Sequence, residues 1–137
     1  MLRLIAVLIA CVTPHLVMAQ MPVEVIHSGR DSVGQRLVFY YKEAIRSSAS
    51  FTLALNPTLG LRVRIVTLDP DDASRGYSTA YSATWTWTNP QSPFDLYLTQ
   101  YVGLCGASRV RSCAEDLLVT TNNQLEDIQR LLASVRR

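Results

Sequence analysis

An excess of charge of one sign is missing from this chain. Thirteen Lys and Arg stand against eleven Asp and Glu, for a formal net charge of +2 at pH 7. With no strong positive field there is no electrostatic case for binding phosphate backbones, so nucleic acid is not expected as a partner. Long apolar runs are scarce as well. The longest, Leu4 to Val12, covers nine residues, against the ~20 that a bilayer-crossing helix needs, so the protein is not expected to span a membrane. No repeat or low-complexity tract interrupts the sequence, which excludes a collagen-like array and a disordered tail. What is present, 137 residues of which 48% are apolar and 18% charged, fits one globular domain better than a multidomain enzyme.

The amino terminus, MLRLIAVLIACVTPHLVMA, places one positive residue, Arg3, before the apolar run, a break at Pro14, and small residues ending at Ala19. This is the form of a secretory signal peptide over residues 1–19, leaving residues 20–137 as a single α+β domain in the periplasm or secreted. The competing reading starts from Leu8-Ile9-Ala10-Cys11, which matches the segment before a lipidated cysteine and would leave the protein lipid-anchored through Cys11. Only ten residues precede that cysteine, a short targeting segment, and the small-residue site at Ala19 is the preferred one.

Cleavage after Ala19 leaves two cysteines, Cys105 and Cys113, and one histidine, His27. In an oxidising compartment an isolated pair eight positions apart reads as a disulfide. Closing so short a loop is worth about 2.5 kcal/mol by chain entropy. The spacing excludes a redox CxxC pair, and His27 lies far from both cysteines, so neither a metal nor a cofactor is expected.

Along the mature chain, Pro22 to His27 reads as a short strand. Asp31 or Ser32 caps a helix, Ser32 and Gln35 having capping-box spacing, and Val33, Leu37, Tyr41, Ala44 and Ile45 recur at helical intervals to about Ser47. Phe51 to Leu55 is a second strand, Asn56 to Gly60 a turn, and Leu61 to Leu68 a third strand with Leu61, Val63 and Ile65 on one face and Arg62 and Arg64 on the other. After a polar loop, Asp69 to Gly76, the strict alternation from Tyr77 to Thr88 predicts a long strand with its large rings inward. Phe94 to Val102 is a fifth strand. Ser112 and Glu115 again have capping-box spacing, ahead of a stripe of Leu118, Thr121, Leu125, Ile128, Leu132 and Val135 on a closing helix. The expected fold is α+β: a single, mostly antiparallel five-stranded sheet in the order βαββββα, with its four later strands a meander and both helices packed on one face.

That plan, with GQRLVFYYKEAIRSS early and YSTAYS, YLTQYVGLCG and SCAEDLL later, resembles small exported bacterial envelope proteins of unassigned function. In architecture alone it is also similar to the TolB amino-terminal domain and to CsgG-like envelope proteins. The resemblance implies an envelope location; it carries no catalytic residue.

Several constellations invite a chemical reading. His27-Ser28-Gly29-Arg30-Asp31-Ser32 holds the residue types of a hydrolase triad, but neighbours on one loop do not make the nucleophile–base–orienter geometry, and no GxSxG elbow is present. A strand-end loop with a helix cap accounts for the same residues. Asp69, Asp71 and Asp72 offer oxygens to a hard cation, yet EF-hand spacing fails at Ala73 and Arg75, and a solvated turn is favoured. Glu24 and Asp95 are carboxylates that nothing in the sequence brings together. Trp85 and Trp87, with Tyr77 and Tyr81, sit where a one-sided sheet needs its core, so burial is preferred to a ligand platform, while Thr84, Thr86 and Thr88 are expected on a wet face. The segment from Cys105 to Cys113 carries most functional weight: a disulfide pinning its ends would present Arg109, Val110 and Arg111 to an acidic partner, or else staple the last helix to strand five.

The expected function is that of an exported, non-catalytic envelope protein acting by binding or assembly with another envelope component. The alternatives are a small periplasmic hydrolase or metal-dependent enzyme assembled only in the fold, and an enzyme inhibitor using the 105–113 loop.

Overall fold

A computed structural model describes residues 19–56, 58–70 and 76–135. The expected leader as far as residue 18, with Cys11, and residues 71–75 of the polar loop lie outside the described residues. Seven elements follow in order: β1 (Met21–Ser28), α1 (Ser32–Ser47), β2 (Phe51–Ala54), β3 (Gly60–Leu68), β4 (Ser78–Thr88), β5 (Leu96–Gly106) and α2 (Val110–Val135). The five strands form one sheet in the order β2-β1-β3-β4-β5. This is the α+β, βαββββα arrangement.

The sheet is mixed, its two long ladders antiparallel. β3 pairs β4 and β4 pairs β5 antiparallel, whereas β1 lies parallel to both β2 and β3. The meander therefore holds only for β3, β4 and β5. A four-strand meander is overturned because β2 does not pair with β3; β1 occupies the place between them. The unit β1-α1-β2 is a crossover, and helix α1 supplies the length that a parallel return requires. From β2 the chain steps back past β1, and at Gly60 it runs so close to Pro22 that a Cβ would lie 2.4 Å from the Pro22 carbonyl oxygen. Only glycine passes there.

Alternation sets the faces. Leu61, Val63 and Ile65 of β3, and Tyr81, Ala83 and Trp85 of β4, are buried with Val23, while Arg64, Val66 and Leu68 are exposed. Trp85 is fully buried and Trp87 packs partly buried against the core, as their spacing predicts, but Tyr77, expected inward with them, precedes β4 and is 67% exposed. Thr88 departs from the expected wet face and is 3% exposed, opposite Gly60 where the strand ends. A shift between Trp85 and Thr86 sets Thr99 and Tyr97 on successive β4 residues, a bulge that leaves Leu98 extra.

Helix α1 begins at Asp31, whose side chain accepts from the Gly34 N–H at 2.7 Å; of the two proposed caps this is the one used. Val33, Gly34, Leu37, Val38, Tyr41 and Ile45 form its buried stripe. Helix α2 starts earlier than the Ser112–Glu115 spacing suggests. Arg109 already accepts from the Cys113 N–H at 3.0 Å, and Val110, Cys113, Ala114, Leu117 and Thr121 form the buried stripe, with Leu118, Leu125 and Ile128 partly covered. Leu132, expected on the stripe, is 55% exposed: the helix outruns the core. At Trp85 the sheet meets both helices, since Thr121 of α2 bonds the Trp85 indole N–H at 3.0 Å and the Tyr41 hydroxyl of α1 at 2.7 Å.

Candidate functional site

Two places hold chemistry: a polar cleft at the carboxyl ends of β1 and β3, and the sheet face that is left open beside it. The cleft, about 410 Å³, is lined by Arg30, Asp31, Ser32, Thr67, Leu68 and Asp69. It forms where β1 leads off to one side through α1 while β3 lies on the other. In open sheets this divergence leaves a crevice beyond the strand ends.

On the buried face of β1 and β3 the apolar alternation ends in a polar residue, His27 after Val23 and Val25, and Thr67 after Leu61, Val63 and Ile65. The register sets His27 opposite Ile65, next but one to Thr67. Thr67 Oγ1 lies 2.9 Å from His27 Nε2 and donates to Asp31 Oδ1 at 2.6 Å. Close backbone approach makes this possible, because a Cβ on Gly34 would stand 2.3 Å from Thr67 Oγ1.

The order of the chain decides what it can do. In a catalytic triad the histidine takes the hydroxyl proton and the carboxylate holds the histidine. Here the single Thr67 proton goes to Asp31, so His27 Nε2–H must donate to Thr67. Thr67, 4% exposed, is thus held at both ends and not activated. Burial of Asp31 pushes its pKa up, but hydrogen bonds from Thr67, Thr79 and the Gly34 N–H outweigh it and hold the carboxyl below its ordinary value. Burial lowers the His27 pKa, Asp31 opposes this, and Lys42 adds to it, which favours the neutral donor ring. Of the suspected triad segment only His27 and Asp31 meet, through a threonine that the sequence reading missed. Its one available signal was the polar end of each apolar alternation.

Glu24 and Asp95, unrelated in sequence, are brought together by Arg62. Its Nε donates to Glu24 Oε2 and its Nη1 to Asp95 Oδ2, each at 2.6 Å. The two carboxylates are clamped on a guanidinium between them, and neither acts as the partner acid or base of the other. Asp69 lines the cleft, while Asp71 and Asp72 lie outside the described residues. Among the described residues no three His, Cys, Asp or Glu side chains gather as a metal set.

The disulfide joins Cys105 and Cys113, with Cα atoms 6.3 Å apart, but it does not frame a loop. β5 runs on to Gly106 and α2 begins at Val110, so the connection is three residues long. Val110, expected at a recognition surface, is 3% exposed and belongs to the core. Arg111 is exposed at the helix start and lies over the Tyr40 ring, 4.6 Å from its centroid. Arg109 is exposed, and its backbone N–H bonds Gly106 O at 2.9 Å. The bond spans the strand–helix junction as a staple.

On the open face, cross-strand rows run Leu68, Ala80, Leu104 and Val66, Ser82, Val102. The four large members of these rows are each more than half exposed, Leu104 reaching 72%. Compared with known proteins, the chain matches no family model and no curated sequence.

Proposed function

We propose that the mature chain is an exported, non-catalytic envelope protein that acts by binding or assembly with another envelope component. The leader-like amino terminus argues for export, and the Cys105–Cys113 disulfide suits an oxidising compartment. Among the described residues no helix is long and apolar enough to cross a membrane. The observation that carries the reading is the open face, where Val66, Leu68, Val102 and Leu104 stand exposed in two adjoining rows. Large apolar side chains gathered on one sheet face, here around Ala80 and Ser82, suit an interaction surface, whereas singly scattered ones do not. The cleft supports binding over turnover, since the Thr67 hydroxyl bonded to His27 has already given its proton to Asp31.

The test is site-specific. A photo-crosslinker at Leu68 in the exported protein should trap an envelope component, and Leu68→Glu should leave the melting temperature within a degree or two while abolishing association with that component. No adduct from Leu68, together with unchanged envelope association of Leu68→Glu, overturns the proposal.

A further inference from the structure

We infer that the outer edge of β5 is a self-pairing surface, through which two copies of the chain join β5 to β5, antiparallel, into one ten-stranded sheet. This rests on the reading that the domain acts by binding, and it names a second copy as the occupant of the edge.

β5 ends the strand order, with β4 on one side and, among the described residues, no strand on the other. Such an edge presents a row of backbone donors and acceptors ready to template another strand. Native edges are blunted by lysines, by proline, by shortness or by bulges. Over its eleven residues, LYLTQYVGLCG, β5 carries no charged residue and no proline. Its one irregularity sits at Trp85/Thr86, which leaves Thr99 to Gly106 in unbroken register. Both faces of the strand are apolar at the rim. Leu96, Tyr97, Tyr101, Val102 and Leu104 are 60%, 60%, 50%, 68% and 72% exposed.

Length, charge and closure favour a copy of the same chain. The other edge of the sheet, β2, has four residues, so β5 against β2 would be a short head-to-tail contact that propagates without closing. β5 against β5, centred on Val102, pairs residues 99–105 of each copy, about 23 Å at ~3.3 Å per residue, and closes on a two-fold axis. An uncharged strand meets itself without repulsion. With like faces matched, for instance about Val102, the exposed rows at Val102 and Leu104 of both copies merge into one apolar face. Along the joined edge the backbone groups pair, and Tyr101, Val102 and Leu104 of each copy gain an apolar neighbour across it.

Light scattering on the purified mature protein at high micromolar concentration tests this. The expected mass is twice that of one chain, with hydrogen exchange over residues 99–105 slowing as concentration rises. Val102→Lys and Val102→Glu, both at an exposed position, should each be monomeric and folded. Mixed together they should recover the doubled mass, because the two strands face one another. Leu68→Glu, two strands in from the edge, should remain a dimer. A wild-type chain of single mass overturns the inference, and so does a doubled mass that survives Val102→Lys or that disappears with Leu68→Glu. If the dimer stands while Leu68 yields no envelope adduct and Leu68→Glu keeps its envelope association, the functional reading fails and the pairing does not; the converse result is equally separable.

Discussion

The hydroxyls of Tyr41 and Thr121 lie 2.7 Å apart across the seam between the helices, and Tyr41 is the donor. Thr121 has one proton, which goes to the Leu117 carbonyl at 2.8 Å, so its two lone pairs receive Tyr41 O–H and Trp85 Nε1–H. Thr121 is fully buried and its hydroxyl fully used.

Replacing it tests the seam. Thr121→Val keeps the shape but strands two buried donors, and at 1–3 kcal/mol for each unsatisfied group the domain should lose about 3 kcal/mol. Tyr41→Phe removes one donor and leaves only an unfilled lone pair, costing about 1 kcal/mol. Urea denaturation gives both values; equal losses would show that the three-way bond is not shared as described.

The disulfide closes a short connection between a buried strand end and a buried helix start, with Cys105 fully buried and Cys113 at 7% exposure. Cys105→Ser with Cys113→Ser should cost about 2–3 kcal/mol from chain entropy alone. Thermal melting under non-reducing conditions measures it, and an unchanged curve would refute the staple.

Acid should destabilise the domain in two stages. His27 is held below its ordinary 6.5 and Asp31 below its ordinary 3.8, so at each the unfolded chain binds protons more readily than the folded one. The His27 contribution is complete above pH 6.5 and is lost as pH falls through its folded value. That of Asp31 is complete above 3.8 and is lost in stronger acid. His27→Gln retains an N–H donor for Thr67 and should abolish the first stage alone. Denaturation series from pH 8 down to about pH 2 follow the two, and an unaltered upper stage in the variant would refute the assignment.

How much was legible depends on how local each signal is. β4 declares itself because Tyr81, Ala83 and Trp85 alternate with hydroxyl side chains on a face of different chemistry, and α1 because Asp31 precedes a regular stripe. The place of β1 between β2 and β3 was hidden: a five-residue link between those two strands normally means a hairpin, and nothing local reports that a strand thirty residues earlier lies between them. The end of β5 was misread because Gly103, Cys105 and Gly106 look like a loop, although their neighbours across β4 hold them extended. Thr67 joined the cleft unannounced, its partners being 36 and 40 residues away. The clamp of Arg62 on Glu24 and Asp95 was invisible for the same reason.

The first strand of the domain is an interior strand of its sheet, flanked on both sides, and that has a cost in time. β1 has no neighbour in sequence to pair with; both of its sides wait for residues 51–68. A chain that emerges amino end first exposes this segment before anything exists to cover it. The interval between its emergence and the arrival of β3 is the moment at which the newborn protein most needs a chaperone.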